Sequence, residues 1–181
     1  MGRWFYSQIM NELDEVWLQI MEQALAQAQV AGRTDVADYL ALKANNDSIR
    51  STSCQWLFDS FLELSEEANR NGIRLEVENE NPHRFVVGHS TMVGSLLRFR
   101  YGVRCLTIET GWTRTPADGF MRGGAFAHAR ISHFGISQAN AELLLLRNKQ
   151  DAPYWVAIDK DGVKSVFAFN HLREHFQVFL G

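Results

Sequence analysis

The sequence predicts an α+β fold in which N-terminal helices, two long and one short, pack on a largely antiparallel sheet of about six to eight strands, closed by a C-terminal helix. Hydrophobic residues recur every three or four positions up to residue 72 and every second position from residue 73. We find no repeat or linker between these parts. We therefore expect a single domain over residues 1–181, with residues 1–72 helical, 73–169 forming the sheet and 170–181 the last helix.

Three helices are predicted in the first part. The first covers residues 7–30, a shorter one runs from about residue 34 to Asn45-Asn46, and the third runs from about residue 47 to Asn71-Gly72. The third has apolar residues at alternating steps of three and four, which favours packing on the sheet or on the first helix. The same spacing could also pack against a helix of a second chain, so a dimer formed by these helices remains an alternative. The apolar residues of the third helix are Cys54, Leu57, Phe61, Leu64 and Ala68.

The clearest strand signal is a hairpin. Residues 91–100 and 103–110 flank Tyr101-Gly102, which suits a two-residue turn. That turn would place Phe99 opposite Arg104 and Leu97 opposite Leu106, with this mostly apolar face toward the core. The opposite face would then carry Arg98, Arg100 and Glu109.

The other strands follow from alternation and turn residues. Before the hairpin we expect a strand from residue 73, a turn at residues 79–83 around Pro82, and a return strand at 84–88. After it, residues 125–134 form a strand whose alanines line one side and whose His128 and Arg130 lie on the other. The remaining expectations are a strand, or less favoured a short helix, at 143–146, strands at 154–158 and 163–169 joined by a turn at 159–162, and a last helix capped by Asn170.

Charge is distributed unevenly along the chain. Residues 1–80 carry 6 basic and 14 acidic residues, a net charge of −8, whereas residues 81–181 carry 12 and 7, a net charge of +5. Either the two halves attract each other in the fold, or the basic half contacts an anionic ligand. We do not expect nucleic acid as a partner, because the chain is acidic overall and has no RNP-like motif.

Several functional classes lack support in the sequence. We see no signal peptide and no apolar run long enough for a membrane helix, so we expect a cytoplasmic protein without a membrane partner. His171 to His175 match the H-x-x-E-H motif, but the six residues that follow contain no acidic residue that could be the further zinc ligand, so we do not expect a metalloprotease. His128 and His133 are five residues apart, which puts them on opposite faces of a strand. No metal or cofactor is expected.

The segment from Glu109 to Gly135 concentrates the candidate binding residues. Our leading hypothesis is a non-enzymatic binding or interaction protein, a homodimer in its simplest form, that uses a basic sheet face and the 111–124 loop to hold an anionic small molecule or a protein. The alternative is a small enzyme acting on an anionic substrate, with Glu109 and His128 as an acid–base pair. The proposed binding residues are Arg98, Arg100, Trp112, Arg114, Asp118, Arg122 and Arg130.

Overall fold

The computed structural model describes residues 19, 20 and 22–181, and for Arg122 the backbone alone. Most of the helix predicted at residues 7–30 therefore lies outside the described residues. Residues 22–30, called α1, are helical. The chain divides into two compact units, one up to Ser48 and one from Ile49 to Gly181. The expected single domain stays a prediction.

The second and third predicted helices are one helix. Helix α2 runs without interruption over Thr34–Arg70, a length of 37 residues. The sequence prediction placed a break at Asn45-Asn46, but asparagine only mildly disfavours a helix, whereas glycine and proline, absent between Thr34 and Arg70, disfavour it strongly. The predicted end is confirmed, because Gly72 has a φ of 89° just after the last turn.

The predicted antiparallel sheet is confirmed. Seven strands of the described chain form one sheet whose spatial order follows the sequence, each strand antiparallel to the next. A sheet of this kind needs only short connections between neighbouring strands. The strands are β1 Glu76–Val87, β2 Ser90–Tyr101, β3 Arg104–Trp112, β4 Ala127–His133, β5 Ala141–Arg147, β6 Pro153–Ile158 and β7 Lys164–Phe167.

The turn predicted at residues 79–83 is wrong. Strand β1 continues through this segment with a shift of register between Glu80 and His83. Proline lacks the N–H that a central strand needs, but an edge strand is paired on one side only and tolerates Pro82 at such an irregularity. The two short strands expected on either side of the turn are therefore one strand of 12 residues.

The β2–β3 hairpin keeps its predicted faces but not its predicted register. The turn is Gly102-Val103, so Tyr101 pairs with Arg104 and Phe99 pairs with Leu106. Moving a two-residue turn by one position moves every cross-strand partner by two residues. Since side chains alternate with a period of two, no residue changes face.

Helices cover one face of the sheet. Leu57 and Phe61 of α2 are fully buried and belong to the same apolar core as Phe99 and Ile108. Helix α3, Phe169–Leu180, completes this core with Leu172, Phe176 and Phe179. It begins before the expected cap at Asn170, and the Ala168 N–H donates to His171 Nδ1 instead. Among the described residues, no helix is both long and apolar enough to cross a membrane.

Candidate functional site

The face of the sheet opposite α3 and the α2 core residues carries the predicted polar residues. Glu109 lies between Leu96 of β2 and Arg130 of β4, and Gly111 pairs with His128. Residues directly opposite in neighbouring strands share a face. This register confirms that Arg98, Arg100, Glu109, His128 and Arg130 lie on one side of the sheet, which we call the polar face.

A pair of glycines shapes the polar face. Gly94 and Gly111 lie opposite each other in β2 and β3. A Cβ atom at Gly94 would collide with the carbonyl oxygen of Thr110, and one at Gly111 would lie 3.1 Å from Cε1 of Phe85. The two backbones therefore approach closely and leave a strip without side chains, over which side chains from the edge strand β1 can lie.

Side chains of β1 fill this strip and reach distant strands. The ring of Phe85 is stacked on that of His83, with 5.9 Å between the centroids, and lies 6.3 Å from the ring of His128 on β4. Met92 and Phe85 are almost fully buried. The edge strand β1 thus places its aromatic side chains over the central strands of the sheet.

Glu109 is the central group of the polar face. Its Oε1 lies 2.9 Å from His83 Nε2, and its Oε2 accepts a hydrogen bond from Arg130 Nε at 2.7 Å and lies 2.6 Å from Arg130 Nη2. Glu109 is only 9% exposed, and a buried carboxylate is stabilised by hydrogen-bond donors and by a neighbouring guanidinium charge. The Arg130 guanidinium also lies 5.4 Å from the ring of Phe85. These side chains form a single preassembled network.

The histidine beside Glu109 is not the one that the sequence indicated. The hydrogen bonds that the structure gives Glu109 come from His83 and Arg130, while Nε2 of the buried His128 lies 3.8 Å from Glu142. His83 was not predicted as a site residue because it was assigned to the turn around Pro82. The glycines at positions 94 and 111, facing one another in a hairpin, were the available signal.

The arginines of the polar face have carboxylate neighbours. Arg98 Nη1 lies 2.8 Å from Glu78 Oε2, and Arg100 Nη2 lies 3.8 Å from the same oxygen. Glu78 and Glu142 are more than half exposed. With Arg130 bound to Glu109, the face is an array of alternating charges instead of a purely basic surface.

The 111–124 loop lies partly over the apolar end of the polar face. Asp118 stabilises the loop itself, since its carboxylate accepts hydrogen bonds from the N–H groups of Arg114 and Thr115. The Thr115 hydrogen bonds hold the pKa of the Asp118 carboxyl below its usual value. Met121 packs against the small apolar cluster of Ala125, Leu144 and Val156. Phe120 is 81% exposed, although its carbonyl oxygen accepts from Ser90.

Two of the predicted binding residues lie elsewhere. Trp112 pairs with Val93 and so has the same orientation as Thr110, toward the helices. The Arg114 guanidinium carbon lies 3.8 Å from the centroid of the Trp112 ring. The expected set is therefore divided between the polar face, the loop and the helix side. The Arg122 side chain lies outside the described part of the structure, and its role stays a prediction.

The histidines of the H-x-x-E-H motif take part in packing. His175 Nδ1 lies 3.0 Å from Nε2 of His133, whose side chain is buried on the helix side of β4, the face opposite His128 as expected. Burial lowers the pKa of both, that of His175 to about 4. The described residues contain no group of three or more His, Cys, Asp or Glu arranged to hold a metal ion.

Comparisons with known proteins do not assign the chain to a family. No protein-family model matches the chain, and neither the curated proteins nor the solved structures give a significant match.

Proposed function

We propose that this is a non-enzymatic binding protein that uses the polar face and the 111–124 loop to hold another protein. The observation that carries the proposal is the His83–Glu109–Arg130 network, whose members hold one another in place within a largely buried setting. Side chains that are already ordered lose little conformational entropy when a partner binds. The exposed carboxylates of Glu78 and Glu142 flank this network.

The charges of the polar face favour a protein over a small anion. Arg98 lies against Glu78 and Arg130 against Glu109, so a small anion would have to displace a carboxylate that is already bound. A protein surface with charges of both signs can add contacts without breaking these pairs. Phe120 adds an exposed aromatic ring, a residue type enriched at protein interfaces.

A second copy of the chain is the simplest partner. A two-fold symmetric interface brings the same patch together with itself, which requires the patch to be self-complementary. Alternating carboxylates and guanidiniums meet this requirement, whereas a purely basic face would repel its copy. We therefore propose a homodimer that forms through the polar face.

Sedimentation of the purified protein tests this proposal. Arg98→Glu and Phe120→Ser alter the surface, and Lys160→Glu is a matched control at an exposed position of the β6–β7 turn. We expect the dimer dissociation constant to rise at least about tenfold in the first two variants and to stay unchanged in the control. If the wild type is monomeric, the same variants are used to compare capture of a different protein partner. Equal association by all four proteins, or none by any, contradicts the proposal.

One specific observation favours an enzyme as the second candidate. The 2.9 Å contact between His83 and Glu109 is the arrangement in which a carboxylate orients an imidazole for proton transfer. Here His83 would be the base for an anionic substrate, which requires the exposed Glu80, whose Oε1 lies 3.3 Å from His83 Nδ1, to move away from that nitrogen. Incubation with a mixture of carboxylated and phosphorylated metabolites, followed by mass spectrometry, tests this version. The enzyme hypothesis requires a metabolite that the wild type and Lys160→Glu consume and that His83→Gln does not consume. If no metabolite behaves in this way, the enzyme hypothesis is refuted.

A further inference from the structure

A second group of charged and aromatic side chains lies at one end of the sheet, away from the Glu109 network. Trp112 ends β3, Phe126 immediately precedes β4, and Arg147 ends β5. In an antiparallel sheet these three positions lie at the same end. Arg50 of α2 and Arg114 of the loop reach the same place. We call these five residues the arginine–aromatic cluster.

The members of the arginine–aromatic cluster form a continuous series of contacts. The guanidinium carbons of Arg114 and Arg50 lie 3.8 and 5.6 Å from the centroid of the Trp112 ring. Arg50 Nε donates to the carbonyl oxygen of Phe126 at 2.9 Å. The guanidinium carbon of Arg147 lies 4.7 Å from the centroid of Phe126. Three positive groups are therefore concentrated around two aromatic rings.

Arg147 has hydrogen-bonding capacity that the protein does not use. Its Nη1 donates to Asp151 Oδ1 at 3.0 Å, whereas its Nε and Nη2 are buried and have no hydrogen-bond partner within the described chain. Nε and Nη2 form the edge of the guanidinium that offers two parallel N–H groups to a carboxylate or a phosphate. Burying such donors without an acceptor costs free energy, and native proteins rarely do so without a reason.

The charges of Arg50 and Arg114 also act on a buried thiol of α2. Burial raises the pKa of the Cys54 thiol to about 12, and the positive charges of Arg114 and Arg50 act in the opposite direction on that thiol. An anion beside them would experience the same attraction. The thiol itself stays protonated at neutral pH, so it supplies neither a nucleophile nor a negative charge.

We propose that the arginine–aromatic cluster binds an oxyanion, a carboxylate or a phosphate group, on the Nε–Nη2 edge of Arg147, with the charges of Arg50 and Arg114 supporting it. Access runs through the turn between β5 and β6. In that turn Asp151 has a φ of 64°, a conformation that residues other than glycine seldom adopt, and its side chain is 73% exposed. The Asp151 carboxylate on Nη1 partly neutralises the charge of Arg147 and so weakens its attraction for the oxyanion, and binding on the buried Nε–Nη2 edge requires the turn to move aside.

Titration of the purified protein with inorganic phosphate and, separately, with acetate tests this site. Binding is followed by calorimetry and by the ¹H–¹⁵N resonances of the arginine Nε–H groups, at constant ionic strength maintained with chloride. We expect saturable binding with a dissociation constant below about 10 mM for at least one probe, and a shift of the Arg147 Nε–H resonance. Which probe saturates identifies the chemistry as phosphate or carboxylate. Absence of saturation by both overturns the proposal.

Three variants separate binding from packing. Arg147→Gln should weaken binding at least about tenfold, because the bidentate charged contact is lost. Asp151→Asn should strengthen it about three-fold or more, because a competing negative charge is removed. Asp161→Asn, in the exposed β6–β7 turn, is the matched control and should leave the affinity unchanged. If Arg147→Gln does not fold, the two aspartate variants still decide: stronger binding by Asp151→Asn than by Asp161→Asn supports the site, and equal affinities refute it.

Discussion

Replacing Glu109 by leucine isolates the energetic role of the carboxylate at the centre of the polar face. The substitution keeps a side chain of similar size but removes the acceptor of both His83 and Arg130. Loss of one partner of a fully buried ion pair costs about 3–5 kcal/mol. Arg130 is about a third exposed and can turn partly toward water, so we expect Glu109→Leu to lower the free energy of unfolding by about 2 kcal/mol.

The double variant Glu109→Leu with Arg130→Met tests the cause of this loss. With both charges removed, no guanidinium is left without its carboxylate, and methionine can keep the apolar contact with Phe85. We expect the double variant to unfold within about 1 kcal/mol of the wild type. Glu142→Leu, on the same face but more than half exposed, is the control and should change stability by less than about 0.5 kcal/mol.

Urea unfolding monitored by circular dichroism measures these differences, and thermal unfolding gives an independent reading. For a chain of this size, about 2 kcal/mol corresponds to a fall in Tm of about 4–8 °C. The reasoning is refuted if Glu109→Leu loses no more than Glu142→Leu, because the carboxylate would then not be desolvated. It is also refuted if the double variant is as unstable as the single one.

Two further predictions concern stability. Burial and the neighbouring His133 lower the pKa of His175 to about 4 in the folded protein, whereas the pKa in the unfolded chain is about 6.5. Between these two values the unfolded chain binds more protons than the folded protein. The contribution of His175 to stability is therefore complete above about pH 6.5 and is lost as the pH falls to 4. The free energy of unfolding should fall by about 2 kcal/mol over this range, after allowing for the partial exposure of His175. Urea unfolding measured at several pH values should show a shallower pH dependence for His175→Phe than for the wild type. An unchanged pH dependence would show that the buried His133–His175 contact is not its cause. Gly94→Ala should lower the free energy of unfolding by more than about 3 kcal/mol, because its Cβ meets the Thr110 backbone, whereas Gly102→Ala, with open space around it, should cost about 1 kcal/mol. Equal losses in the two alanine variants would show that β2 and β3 do not approach closely at Gly94.

The alternation of side chains predicted the faces of the sheet well. Arg98, Glu109 and Arg130 were correctly assigned to one face even though the turn was misplaced, because the two-residue turn shifted by a single position and preserved the alternation. Local sequence could not place the register itself, since Tyr101-Gly102 and Gly102-Val103 both offer a glycine to a two-residue turn.

The errors have a common origin in residues that tolerate more than one local structure. Pro82 was interpreted as a turn, although at an edge strand it needs no hydrogen-bond partner, and this removed His83 from consideration. Trp112 was assigned to the loop because the strand was ended at Thr110; two more paired residues put its ring on the helix side. The contact between His83 and Glu109 joins residues 26 apart and depends on a strip of glycine backbone that only the folded sheet creates.

Photo-crosslinking from the 111–124 loop tests the proposed protein-binding face most directly. A benzoylphenylalanine in place of Phe120 would lie at the interface, whereas the same residue in place of Val178, exposed on α3, would lie on the opposite side of the sheet. We predict a covalent adduct with a second copy, or with another protein partner, from position 120, its loss when Arg98→Glu is added, and no adduct from position 178. Equal adducts from both positions, or none from position 120, would contradict the proposed use of the polar face.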